Sequence, residues 1–174
     1  MTTIKVFVGD ALDVTEGIIV HGCNCQGVMG AGIARAVKSR FPEAFNAYQQ
    51  AMNTSGLILG QVSFALVNDK KIIVNANTQE FTGTEKRQVN YDAVASCFEK
   101  VQVIVDTCRQ TGLDLPVIFP LIGAGLAGGN WKIIETIINE TLKDDGKKQL
   151  YVLSDDQIPS WHDNHTRMKF KQHH

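Results

Sequence analysis

The stretch "IIVHGCNCQGVMGAGIARAV", residues 18–37, decides the fold. It begins as an apolar β-branched run, passes through a glycine-rich turn (the first glycine loop, residues 22–32) and continues with apolar residues at helical spacing. The stretch "VIFPLIGAGLAGGNW" repeats this order of strand, glycine-rich loop and helix, and its turn is the second glycine loop (residues 120–130). Units of this kind build parallel sheets that are covered by helices.

The rest of the chain supplies further strands and amphipathic helices. "IKVFVG" and "QLYVLS" have the composition of strands, and "QVSFALV" and "KIIVNAN" flank a short turn as in a β-hairpin. Helical spacing recurs in "EAFNAYQQAM" and in the long segment that follows Asn90. Helices between apolar strands predict a three-layer α/β/α sandwich with a mixed, mostly parallel central sheet. We predict a single domain over residues 1–153 and a polar surface tail over residues 154–174.

Composition and charge exclude several classes of function. The 174 residues carry 17 Lys and Arg against 18 Asp and Glu, so that no basic surface is available for a nucleic-acid backbone. No apolar run approaches the length of a membrane span, and the N-terminus lacks the pattern of a signal peptide. We therefore expect a cytoplasmic protein with reduced thiols, and neither a nucleic-acid nor a membrane partner.

The cysteines of the first glycine loop raise the question of a metal site or a redox pair. Cys23 and Cys25 follow closely after His21, but a tetrahedral metal centre needs four ligands and the other histidines lie far along the chain. No metal site is therefore predicted. Redox use remains open, although the C-x-x-C spacing is absent. A cysteine-based phosphatase would need an arginine six residues after the thiolate, where this chain has Met29 and Ala31.

The glycines favour a site made by the backbone. Glycine lets backbone N–H groups approach a ligand, and the helix that follows adds unpaired donors and the positive end of its dipole. Two such loops at the carboxyl ends of strands in one sheet would face each other across a crevice, where a diphosphate fits. The simpler alternative is that the glycines only permit tight packing of strand against helix.

A dinucleotide-binding fold is a competing interpretation of the second glycine loop. Gly123, Gly125 and Gly128 form a G-x-G-x-x-G pattern, and Asp155 follows the next strand at about the distance of a ribose-binding acid. Only about nineteen residues follow Asp155, too few for the further βαβ units of that fold. Neither loop is followed by the Lys-Ser/Thr of a Walker A motif.

Three segments resemble the macrodomain, the ADP-ribose-binding module. They are "FVGDALD", "IIVHGCNCQGVMGAGIARAVKSRFPEAF" and "IFPLIGAGLAGGNW". The similarity extends from about residue 3 to residue 153. It is strongest to the branch that includes ADP-ribose-1″-phosphate phosphatases and terminal ADP-ribose protein glycohydrolases, and it implies a part in ADP-ribosylation.

The resemblance also implies a set of ligand contacts. Asp10 would accept a hydrogen bond from the adenine amino group, with Gly9 and Ala11 beside it, and Asn24 would hold hydroxyls of the distal ribose. The diphosphate would lie between the two glycine loops. The remaining implied contacts are Cys23, Met29, Gly30, Ala31, Gly32, Ile33, Phe81, Ile122, Gly123, Ala124, Gly125, Leu126, Ala127 and Gly128.

The resemblance is less direct for catalysis. The resemblance implies that branch members which remove ADP-ribose from protein carboxylates use two residues. These are a lysine after the fourth strand and an aspartate directly after the "GxGL" of the second loop. Gln79 and Ala127 stand at these positions here and supply neither an amine nor a carboxylate base. The phosphatase members of the branch resemble this chain in a histidine at the place of His21, before a similar "CNC", so the resemblance implies His21 and Asn24 as the catalytic residues. An imidazole can act as acid or base near neutral pH, although a histidine at a strand end can equally be a core residue.

The implied activity is hydrolysis of ADP-ribose-1″-phosphate to ADP-ribose and phosphate, without a cofactor. The expected partners are ADP-ribose, its 1″-phosphate and an ADP-ribosylated protein. Three alternatives stay open: a non-catalytic reader of ADP-ribose, a hydrolase of ADP-ribosylated protein, and the NAD(H)-binding domain described above.

Overall fold

The computed structural model describes residues 4–143, 147–162 and 165–168. Its strands are β1 (Lys5–Val8), β2 (Gly17–Cys23), β3 (Val62–Asn68), β4 (Lys71–Asn77), β5 (Val117–Phe119), β6 (Lys148–Val152) and β7 (His165–Arg167). Its α-helices are α1 (Gly32–Arg40), α2 (Pro42–Thr54), α3 (Tyr91–Gln110) and α4 (Trp131–Thr141). Short 3₁₀ turns occupy Ala11–Asp13 and Asp155–Gln157.

The described strands form one sheet in the order β3-β4-β2-β5-β6-β1-β7. The predicted hairpin is confirmed, because β3 runs antiparallel to β4 while every other neighbouring pair is parallel. At the centre, β2 pairs with β4 along its whole length, from Gly17 opposite Lys71 to Cys23 opposite Asn77. The carboxyl ends of β2, β4, β5 and β6 therefore open at the same edge of the sheet.

Helices cover both faces of the sheet, which confirms the predicted three-layer sandwich. The stripe of α3 that carries Phe98 and the stripe of α4 that carries Ile134 are buried on one face. Val37 of α1 and Tyr48 of α2 are buried on the other. In the part of the chain that the structure describes, no helix has the length and apolarity needed to cross a bilayer.

The helix boundaries follow local chemistry. The Asn90 side chain accepts a hydrogen bond from the Ala93 amide and begins α3, and the Asn130 side chain accepts one from the Lys132 amide and begins α4. Pro42 occupies the first turn of α2, where its missing N–H leaves no helical hydrogen bond unmade.

The C-terminal segment contains a strand that the sequence analysis did not predict. Within the segment expected to be a surface tail, β7 pairs parallel with the edge of β1, and the Met168 amide donates to the Val8 carbonyl at 3.0 Å. The three β7 residues are exposed and have no apolar alternation, so they are placed by backbone pairing and by the ion pair between Arg167 and Asp155. Residues 163–164 and 169–174 of this segment lie outside the described residues.

A matched pair of phenylalanines tests the assignment of the core. Phe98 is fully buried and meets Phe119 edge to face with ring centroids 6.0 Å apart, whereas Phe64 on β3 is 48% exposed. We expect Phe98→Ala to lower the free energy of unfolding by about 4 kcal/mol and Phe64→Ala by less than about 1 kcal/mol. Urea unfolding measures both, and similar losses in the two variants would contradict the assignment.

Candidate functional site

A cleft of about 630 Å³ lies at the carboxyl ends of β2, β4, β5 and β6, between the two glycine loops. Its floor includes Cys23 at the end of β2 and Thr78 just after β4. One end is bounded by Tyr151, Val152, Leu153 and Gln157, and the other by the segment that runs from Gln79 to Thr84. The cleft occupies the position at which open α/β sheets bind their ligands.

The Asn24 side chain forms hydrogen bonds to the backbone of the first glycine loop. Its Oδ1 accepts from the Gln26 amide at 2.9 Å, and its Nδ2 donates to the Val28 carbonyl at 2.7 Å. The hydroxyl of the buried Tyr48 on α2 donates to the Asn24 carbonyl at 2.6 Å and lies 3.0 Å from Asn24 Oδ1. The path of this loop is therefore fixed by hydrogen bonds within the protein.

The N-terminus of α1 is left without a cap at the wall of the cleft. Unlike α3 and α4, it begins after Ala31 with no side-chain cap, and its first turn carries no acidic residue. Among the described residues, none accepts a hydrogen bond from the amides of Gly30, Ala31, Gly32 or Ile33. These donors and the positive end of the helix dipole favour an anion at this position.

The second glycine loop approaches the first from the opposite side. Gly123 and Gly128 have positive φ angles of 75° and 72°, which glycine adopts without strain. The Ala127 carbonyl accepts from the amides of Gln88 and Val89 at 2.7 and 3.2 Å, which ties the loop to the chain before α3. An added Cβ at Gly32 would lie 3.6 Å from the Leu126 side chain, so the two loops are close enough to enclose a narrow ligand.

The structure brings many of the predicted contact residues together. Those that line the cleft are Cys23, Asn24, Gly30, Ala31, Gly32, Ile33, Ile122, Gly123, Gly125, Leu126 and Ala127. Residues with no recognisable motif also line it, and the sequence analysis missed them as contacts. They include Thr78, Thr82, Thr84, Tyr151, Leu153 and Gln157. Only their position after a strand or next to a glycine loop could have predicted that these residues line the cleft.

The other predicted contact residues lie outside the cleft wall. They are Gly9, Asp10, Ala11, Met29, Phe81, Ala124 and Gly128. Asp10 caps the first 3₁₀ turn through the Leu12 amide at 2.9 Å and lies 3.3 Å from an Arg40 guanidinium nitrogen. Phe81 is 54% exposed and borders a separate, smaller depression.

His21 is not at the cleft, which corrects its expected place beside the distal ribose. The residue is fully buried, and its Nε2 lies 2.7 Å from Asn75 Oδ1. Asn75 Nδ2 donates to the Ala44 carbonyl and to Ser63 Oγ, so its oxygen faces the imidazole and Nε2 carries the proton. Burial lowers the pKa of His21 to about 4, against an ordinary value of 6.5. We assign His21 to the core and give it no catalytic role.

The cleft wall is almost free of titratable groups. Within the described parts of the chain, only Cys23 and Tyr151 line it, and burial raises the pKa of both. Desolvation also raises the pKa of Cys25, so neither cysteine of the first loop is a thiolate near neutral pH. No group of three or more candidate metal ligands occurs among the described residues. Gln79 lines the cleft and donates to the Phe81 carbonyl.

The neutral, buried His21 predicts a pH dependence of stability. Its pKa is lower in the folded than in the unfolded chain, so the unfolded state binds more protons below pH 6.5. Stability is therefore lost as pH falls from 6.5 toward 4. We expect His21 to account for about 2 kcal/mol of lost stability at pH 5.

Urea unfolding at pH 7.5 and pH 5.0 measures this loss. His21→Gln should flatten the dependence, while the control His165→Gln, at an exposed position of β7, should retain it. Equal pH dependence in the wild type and His21→Gln would show that the imidazole is not held neutral.

Comparison with known proteins agrees with the geometry. The profile of the Macro domain family matches residues 20–138. An ADP-ribose 1″-phosphate phosphatase of Candida albicans is 29% identical over 127 residues, which are 71% of this chain and 80% of that protein. A DNA ADP-ribosyl glycohydrolase of Mycobacterium tuberculosis is 30% identical over 130 residues, 73% of this chain, which spans only 35% of that longer relative.

A solved structure supports the same assignment. A macrodomain protein from Streptomyces coelicolor superimposes with a TM-score of 0.68 at 27% sequence identity, covering 86% of this chain and 99% of that one. The family match spans more than half of the chain and includes both glycine loops, the carboxyl end of β2 and the whole of β5. The chain belongs to the Macro domain family.

Proposed function

We propose that this protein binds ADP-ribose in the cleft and hydrolyses ADP-ribose-1″-phosphate to ADP-ribose and phosphate. The observation that carries the proposal is the uncapped N-terminus of α1, whose unpaired amides face the second glycine loop across the cleft. No lysine or arginine among the described residues lines the cleft. A diphosphate would therefore be held by amides and the helix dipole, which bind an anion without side-chain cations.

The residues at the two ends of the cleft favour one orientation of the ligand. The adenosine would lie toward Tyr151 and Leu153, because the Gly9 amide, next to Asp10, donates to the Val152 carbonyl at this end. The distal ribose would lie toward Asn24 and Gln79, where the wall is formed by neutral polar groups. Such groups suit sugar hydroxyls better than a charged ligand.

The proposed hydrolysis relies on positioning and electrostatic stabilisation. A water oxygen attacks the phosphorus, and the bond from phosphorus to the C1″ oxygen breaks. One proton of the water passes to the departing oxygen, and the other stays on the released phosphate. Unpaired amides of the second loop, at Gly123, Gly125 and Leu126, would stabilise the charge on the phosphoryl oxygens. The relative from Candida albicans, named for this activity, supports the assignment.

A non-catalytic reader of ADP-ribose is the second candidate. It is favoured by the absence of any carboxylate, imidazole or amine from the cleft wall of the described chain. The same absence weighs against release of ADP-ribose from protein or DNA by a lysine and an aspartate, because Gln79 and Ala127 stand at those positions. The mycobacterial relative, named a DNA ADP-ribosyl glycohydrolase, nevertheless makes modified DNA a substrate worth testing.

A glutamate in the first loop tests the binding site. In Gly32→Glu a carboxylate would enter the region of the unpaired amides and repel a diphosphate, and we expect ADP-ribose affinity to fall at least about 100-fold. Isothermal titration calorimetry measures this change. Gly56→Glu is the matched control, since Gly32 and Gly56 are both exposed and both have a positive φ, of 57° and 78°, but Gly56 lies away from the cleft and has no atom near its Cβ position.

The control variant should bind ADP-ribose within about twofold of the wild type, because it adds the same charge and backbone strain away from the cleft. Equal affinity in Gly32→Glu and the wild type would place the diphosphate elsewhere.

A parallel activity assay separates the candidate functions. We expect phosphate release from ADP-ribose-1″-phosphate by the wild type and by Gly56→Glu, and loss of release in Gly32→Glu. ADP-ribose release from ADP-ribosylated protein and from ADP-ribosylated DNA is measured with the same preparation. Tight ADP-ribose binding with no phosphate after several hours would favour the reader, and ADP-ribose release from either macromolecule would favour a glycohydrolase.

A further inference from the structure

A threonine hydroxyl lies without a partner at the floor of the cleft. Thr78 directly follows β4, and its amide donates to the Cys23 carbonyl at 3.1 Å. The residue lines the cleft but is only 1% exposed. No hydrogen-bond partner for Thr78 Oγ1 exists among the described residues. Because a buried hydroxyl without a partner destabilises a folded protein, valine would suit this position better if packing were its only requirement.

The location of Thr78 distinguishes it from the other buried polar atoms that lack a partner. In the described chain these are Asn77 Oδ1 and Trp131 Nε1. Neither residue lines the cleft, and the Asn77 amide group still donates to the Ile58 carbonyl at 3.1 Å. Only at Thr78 does the unmet hydrogen-bonding capacity coincide with the proposed binding site.

Gly22 on β2 lies directly against this hydroxyl. A Cβ at Gly22 would lie 2.9 Å from Thr78 Oγ1 and 3.3 Å from Ile122 Cγ1. Gly22 is not among the glycines with positive φ, so its backbone conformation does not require glycine. The missing side chain therefore lets β2 pack closely against the Thr78 hydroxyl and the second glycine loop.

The polar groups around Thr78 indicate which kind of ligand group would pair with its hydroxyl. Asn24, Gln79, Thr82 and Thr84 line the same end of the cleft, and all of them are neutral. Amides and hydroxyls of this kind recognise sugar hydroxyls and other oxygens through hydrogen bonds. In the proposed orientation this end holds the distal ribose.

We propose that Thr78 Oγ1 binds the ligand at the oxygen on C1″ of the distal ribose, or at the phosphate which that oxygen carries. The proposal rests on the proposed function and adds a contact that distinguishes ADP-ribose from ADP. The hydroxyl can donate one hydrogen bond and accept two, so it matches either oxygen. Its missing partner is supplied when the ligand binds.

Two variants and two ligands test this contact. Thr78→Val removes the hydroxyl and keeps the shape, and Thr78→Ser keeps the hydroxyl. We expect Thr78→Val to bind ADP-ribose about tenfold more weakly and to bind ADP, which lacks the distal ribose, with unchanged affinity. Thr78→Ser should bind ADP-ribose within about threefold of the wild type. The melting temperature of ligand-free Thr78→Val should equal or exceed that of the wild type, because no hydrogen bond is lost.

Each other outcome overturns a defined part of the inference. A lower melting temperature, or failure of Thr78→Val to fold while Thr78→Ser folds, would show that the hydroxyl is structural. If Thr78→Val kept the wild-type preference for ADP-ribose over ADP, the contact would be rejected. The proposed function would not be affected by that result. A wild type that binds neither ligand would reject the proposed function itself.

Discussion

The hydrogen bonds between Tyr48 and Asn24 determine the shape of the proposed binding site. Tyr48 is fully buried on α2, and its hydroxyl holds the carbonyl of a residue that lies at the carboxyl end of the central strand. Asn24 in turn fixes the amide of Gln26 and the carbonyl of Val28. The chain therefore reaches Gly30 along a fixed path, and the donors at the start of α1 stay directed at the cleft. A loop held in this way by hydrogen bonds within the protein would lose little conformational entropy on binding a ligand.

The electrostatics of the cleft come from the backbone rather than from ionisable side chains. Cys23 and Tyr151 line its wall, and burial keeps both neutral near physiological pH. Amide dipoles do not titrate, so anion binding by this wall should vary little over the range in which proteins are usually stable. Selectivity would then depend on the spacing of the two loops and on hydroxyls such as that of Thr78.

Much of the fold could be predicted because its signals are local. The apolar stripe of α3, the hairpin of β3 and β4, and both strand–loop–helix units are periodic patterns within short windows, and the structure confirms them. The glycine loops could be located for the same reason. In contrast, β7 is three exposed residues long and is placed by pairing with β1, a partner at the other end of the chain.

The site residues that sequence reasoning misplaced depend on long-range packing. The alternation along β2 puts His21 and Cys23 on one face, but only the tertiary structure shows that this face packs beneath α2. Similarly, no sequence pattern indicates where the segment after β4 places Phe81. Thr78 was missed because its significance lies in an unmet hydrogen bond, a property that emerges only from the surroundings of an atom.

The buried contact between His21 and Asn75 also has a consequence for folding fidelity. Ser63, Asn75 and His21 stand directly opposite one another on three adjacent strands, joined by hydrogen bonds of 3.0 and 2.7 Å. Their neighbours on β2 and β4 are mostly aliphatic, and aliphatic side chains tolerate a shift of two residues because the same face stays buried. A shifted pairing would leave an amide and an imidazole buried without partners. This transverse row of polar side chains therefore selects one alignment of β3, β4 and β2 from several that hydrophobic burial alone would accept.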